Sequence, residues 1–120
     1  MTRRRILAFV AIAFGLLTVV QGGRVLAGAD PGYVVFRPLL VFNFAMGFAY
    51  VAAGVAALRS AALGRRAAGA IFAVNLLVLV AIAVLHAAGA AVAVESLGAM
   101  SLRTAVWLGL YLAQGREAVA

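Results

Sequence analysis

Nineteen consecutive residues, 67–85, contain a single polar side chain, Asn75, and no charge. As a helix rising 1.5 Å per residue this run is about 28 Å long, close to the roughly 30 Å of hydrocarbon in a bilayer. In that solvent a lone segment must satisfy its own backbone polar groups, and only a helix does so. Segments 6–28, 38–58 and 97–113 approach the same requirement. The expected fold class is therefore all-α: one domain forming an integral membrane bundle of four transmembrane helices, with spans at about 6–28, 38–58, 67–87 and 97–113. The fourth is the shortest, about 25 Å at the helical rise, and carries Arg103 in its second turn.

The segments between the spans read as turns. Asp30-Pro31-Gly32 reverses the chain, because Pro disfavours helix in the residue before it and Gly tolerates positive φ. Residues 33–36 read as a short amphipathic piece at the interface, after which Pro38 suits the first turn of the second span. Arg59, Ser60, Gly64, Arg65 and Arg66 read as a basic loop. After His86, residues 87–94 are weakly apolar and lead to Glu95 and Ser96.

Composition narrows the chemistry. The chain is 68% hydrophobic and 11% charged, with a net charge of +7, whereas soluble domains are about a quarter charged. A basic excess in a soluble protein would point to nucleic acid, but these arginines flank apolar runs, so no nucleic-acid partner is expected. Arg3, Arg4, Arg5, Arg59, Arg65, Arg66 and Arg116 fall on one side of the expected topology, against Arg24, Arg37 and Arg103 on the other. That bias predicts an inner (plasma) membrane protein with both termini cytoplasmic, and it opposes insertion in both directions. Arg3 to Arg5, the apolar run and Ala27-Gly28-Ala29 imitate a cleavable signal peptide. Three further apolar segments follow, so an uncleaved first helix is expected.

Absence of cysteine removes thiol and disulfide chemistry, and absence of lysine removes Schiff-base catalysis. Three acidic residues supply no paired carboxylates, metal-ligand cluster or nucleophile with a base. Conventional hydrolytic catalysis has almost nothing to use, so an enzyme is the less favoured of two open readings, and no cofactor or metal is expected.

Charged groups within spans cost about 2.5–3.5 kcal/mol at the helix centre on insertion scales, so each needs a reason. Arg24, Asn43, His86, Glu95 and Arg103 all fall in the non-cytoplasmic half or just beyond it, with Gln21, Ser101 and Thr104. If the four helices pack together, Arg24, His86, Glu95 and Arg103 can meet in one outward-facing polar pocket suited to a polar or anionic ligand. The favoured reading has the arginines snorkelling to headgroups and Glu95 neutralising one of them. Helix two places Asn43, Gly47, Tyr50, Gly54 and Ala57 on one face, and its small residues allow close helix approach. Asn75, Leu79, Ile82 and His86 form a stripe along helix three, with Asn75 placed to bond to a neighbouring helix.

The expected function is a small non-catalytic membrane protein, an accessory or self-associating subunit whose partners are lipids, other membrane subunits or copies of itself. A small-solute transporter or binding protein is the first alternative. A membrane redox subunit holding a lipophilic cofactor among aromatics such as Phe42, Phe44, Phe48, Phe72 and Trp107 is the second.

Overall fold

A computed structural model describes residues 3–32 and 35–119, with side chains as far as residue 115. It contains four helices: α1 (Arg3–Leu26), α2 (Arg37–Arg59), α3 (Ala61–Ala87) and α4 (Val94–Val119). Three of them, α1, α2 and α3, are long and apolar enough to span a membrane, which suggests a membrane protein. α4 is 26 residues long but falls outside that group. Glu95, Ser96, Ser101, Arg103 and Thr104 dilute its apolar surface.

Element boundaries differ from the sequence reading in an instructive way. The expected basic loop at 59–66 is a single non-helical residue. Ser60 is extended (φ −159°, ψ 134°), and its Oγ accepts from the backbone N–H of Leu63 at 3.4 Å. One capping serine therefore ends α2 and starts α3, and Arg65 and Arg66 lie in the first turns of α3, arginine being a good helix former. At 27 residues α3 is about 40 Å long, so its ends outreach a hydrocarbon core. α4 likewise starts at Val94 and extends beyond 97–113, because apolarity marks where lipid would lie, not where the backbone stops being helical. The α1–α2 connection turns at Gly28 (φ 114°) and Gly32 (φ 86°), and Asp30 Oδ1 accepts from Gly32 N at 2.8 Å. The expected amphipathic piece at 33–36 falls partly outside the described residues.

α1 packs along α2 and α3 along α4, α2 meets α3, and α1 and α4 touch only sparsely. The α1–α2 seam is built on small residues. Ala8, Ala11, Gly15, Thr18 and Gly22 are buried on α1, and Gly47, Tyr50, Ala53, Gly54 and Ala57 on α2. The α1 row advances in steps of three and four, and on α2 Gly47, Tyr50, Gly54 and Ala57 do the same, the neighbour spacing on one helical face. A Cβ built on Gly47 would lie 2.6 Å from Val19 Cγ2, and one on Gly54 would lie 2.8 Å from Ala8 O. Glycine is what lets the backbones meet.

The middle of the bundle is aromatic. Tyr50 and Trp107 are fully buried, their ring centroids 4.8 Å apart, and Phe14 lies 5.4 Å from Tyr50 and 6.4 Å from Trp107. Asn75, also fully buried, brings its carboxamide to the Tyr50 hydroxyl, Nδ2 donating at 3.1 Å. Asn75→Leu should therefore destabilise the bundle by about 1–2 kcal/mol, since it leaves the phenol O–H unpartnered in an apolar core. Pairing Asn75→Leu with Tyr50→Phe should recover part of that loss. A double-mutant cycle of unfolding in detergent measures the coupling, and strict additivity would show the pair to be energetically idle.

Outward the bundle is apolar: Leu17, Val84 and Leu77 are 67%, 63% and 72% exposed. Its long axis is 47 Å, against about 40–45 Å for a bilayer with its headgroup regions.

Candidate functional site

At the end of the bundle away from Ser60, a cleft of about 510 Å³ is walled by α1, α2, α4 and the turn that follows α1. α1 contributes Thr18, Gln21, Gly22, Arg24 and Val25, positions that recur on one helical face. α2 supplies Leu39, Leu40 and Asn43, after Phe36 at its start, and α4 supplies Ser96, Ala99 and Arg103, spaced three and four apart. Asp30 stands at the rim, exposed, with one carboxylate oxygen committed to Gly32 N. Gly22 brings α2 close, since a Cβ there would lie 3.1 Å from Phe44 Cβ.

Two polar atoms in this cleft are buried and without a hydrogen-bond partner among the described residues: Asn43 Oδ1 and Arg103 Nε. Buried side-chain donors and acceptors are nearly always paired, with protein or with something bound, so these two mark a place where a polar ligand or water completes the structure. Trp107 Nε1, one turn inward from Arg103 on α4, is a third such atom. Thr18 and Thr104 differ: their hydroxyls donate to Phe14 O and Met100 O within their own helices, each at 2.8 Å. Ser101 does the same to Leu97 O. These hydroxyl donors are therefore spent on backbone.

The structure thus brings together Arg24, Asn43 and Arg103 but not all the residues that the sequence allows to share one pocket. His86 and Glu95 line a second, shallower cavity of about 510 Å³ with the α3–α4 loop, residues 89–93. The separation follows from the packing order: α3 sits diagonally from α1, and none of its residues lines the first cleft. His86 is exposed, with Nδ1 2.8 Å from Val92 O. A carbonyl only accepts, so Nδ1 carries the proton and fastens the loop to the end of α3. Among the described residues no three of His, Asp and Glu gather as a metal site.

At the opposite end, Arg65 lies over the Tyr111 ring at 4.7 Å and donates to its hydroxyl at 2.9 Å. Gln114 is buried between α4 and Gly64, its Oε1 unpartnered among the described residues. Sequence reasoning did not single out Thr18, Asp30 or Ser96 as cleft residues, nor Gln114 as a core residue. The signal was present as periodicity: Thr18, Gln21 and Val25, and Ser96, Ala99 and Arg103, each share a face. Nothing in the sequence alone says that those two faces confront each other.

Comparison of the chain with protein-family models, with curated proteins and with solved structures finds no match.

Proposed function

We propose that this protein is a small, non-catalytic, multi-pass protein of the inner membrane that binds an anionic group in the cleft between α1, α2 and α4. The reading has the chain cross four times, with Arg3 to Arg5, Arg59, Arg65 and Arg66 cytoplasmic and Arg24, Arg37 and Arg103 towards the other face. The charge asymmetry favours that orientation. The single observation that carries the binding role is the pairing of two guanidinium side chains, Arg24 and Arg103, with Asn43 in one cleft, where Arg103 Nε lacks a partner among the described residues. A guanidinium withdrawn from water is costly unless an anion accepts its hydrogen bonds, and its planar fork suits carboxylate and phosphate oxygens.

Binding is favoured over passage because the cleft ends on rings. Phe14, Tyr50 and Trp107 fill the bundle just inward of Thr18 and Arg103. Exposed apolar residues along α1 and α3, Leu17 and Leu77 among them, support contact with lipid, other membrane subunits or further copies of the chain.

Thermal unfolding in a zwitterionic detergent tests the binding role. At constant ionic strength, inorganic phosphate and dihexanoyl phosphatidylglycerol are each compared with dihexanoyl phosphatidylcholine. At a hundred times its dissociation constant a bound anion stabilises by about 2.7 kcal/mol, so the midpoint should rise by several degrees with at least one anionic probe. The rise should vanish in Arg103→Gln and shrink in Arg24→Gln. A midpoint indifferent to both anionic probes would remove the binding role.

A further inference from the structure

Resting on that reading, we infer that the occupant of the cleft is a phosphodiester lipid of the non-cytoplasmic leaflet, with its headgroup between Arg24 and Arg103 and its chain leaving between α1 and α4. The cleft is walled by α1 and α4, backed by α2 and not lined by α3. Because α1 and α4 touch sparsely, their seam is the loosest of the bundle, and the acyl chain is placed there. Inward of the cleft, Phe14 meets Trp107 edge to face (6.4 Å, 82°) across the α1–α4 seam.

Its lining mixes polar and apolar side chains. Gln21, Arg24, Asn43 and Arg103 are polar, whereas Val25, Phe36 and Leu39 are apolar. A free inorganic anion leaves the apolar part wet, and an uncharged lipid leaves the guanidinium groups unmatched. The charge balance selects further. Arg24 and Arg103 against the rim carboxylate of Asp30 leave one net positive charge, which a phosphodiester monoanion neutralises. Depth agrees as well. Arg24 is two residues from the end of α1 and Arg103 is nine residues into α4, about 14 Å along it. The two guanidinium groups therefore bracket the step from headgroup to hydrocarbon, as snorkelling arginines do.

Trp107 is the only tryptophan in the chain and lies one helical turn inward of Arg103, so its emission reports on the neighbourhood of the cleft. The protein is reconstituted into vesicles of one fixed composition, phosphatidylglycerol in phosphatidylcholine, with brominated acyl chains carried by either one lipid or the other. Headgroup composition is then identical and only the identity of the quencher changes. Quenching per bromine should be greater when phosphatidylglycerol carries it, by about fivefold local enrichment for each guanidinium group. In Arg103→Gln and in Arg24→Gln the preference should fall towards one. Arg24 is exposed, so its variant keeps the fold even if that of Arg103 does not.

Equal quenching by the two labels, with phosphate or dihexanoyl phosphatidylglycerol still raising the unfolding midpoint, would overturn the lipid assignment and leave anion binding standing. Equal quenching with no stabilisation by either anionic probe would overturn both. A preference that survives in both arginine variants would place the lipid elsewhere and overturn the assignment as well.

Discussion

Gly15→Val should take apart the α1–α2 hairpin, with a loss of about 3 kcal/mol, the upper part of the usual range for overpacking a core. A Cβ at Gly15 would stand 2.7 Å from Gly47 O and 2.7 Å from Val51 N. Both are backbone atoms of the facing helix, so no rotamer change relieves the clash and the helices must separate. The seam would then lose its contacts at Gly47 and Gly54 together. Gly98→Ala provides the contrast. Gly98 is also helical, but a Cβ there meets nothing within 4 Å. That variant should hold or gain up to about 1 kcal/mol through helix propensity. Far-ultraviolet circular dichroism during unfolding in detergent compares the two, and similar midpoints would show that the close helix contact is absent in the protein.

Trp107→Ala carries the second largest effect, a loss near the lower end of the 3–5 kcal/mol seen when large aromatics are removed from cores. The lower end applies because lipid is itself apolar. Transfer from water contributes little to helix association in a membrane, and what remains is lost dispersion contact and the cavity left behind. Trp107 is fully buried and touches Phe14 and Tyr50 from α1 and α2, so it ties α4 to the first hairpin where α1 and α4 otherwise hardly meet. Trp107→Phe keeps a ring and removes the Nε1–H, which has no partner among the described residues, so its loss should stay below about 1.5 kcal/mol. Unfolding midpoints of the two variants check this ordering. Equal, small losses would mean that α4 is held by its seam with α3 alone.

How far the sequence could be read depended on which periodicity it displayed. The apolar run at 67–85 and the small residues at Gly47, Gly54 and Ala57 are local patterns, and each lies where helix geometry alone requires. Ser60 was harder. A cap between two arginine-bearing helices looks like a polar loop when only charge is counted, and the distinction lies in one serine hydroxyl and its φ and ψ. The cleft was legible only in part. Arg24, Asn43 and Arg103 stand out because polar groups are rare in such segments. Whether His86 and Glu95 join them depends on the order in which four helices pack around an axis, which no single helix encodes. Trp107 could be read as pocket lining or as core, and its contacts with Phe14 and Tyr50 assign it to the core beneath the cleft.

The central claim is that α1 and α2 join on the non-cytoplasmic side, so that the cleft built by Arg24 and Arg103 opens away from the chain's arginine-rich end. A chain without cysteine is already a clean background for site-directed labelling in intact cells. Single cysteines at Ala29 and Ala91, both exposed at the cleft end, should react with a membrane-impermeant maleimide, and one at exposed Ala62 should react only after the cells are opened. Labelling of Ala62→Cys in intact cells, with Ala29→Cys and Ala91→Cys protected, would contradict it.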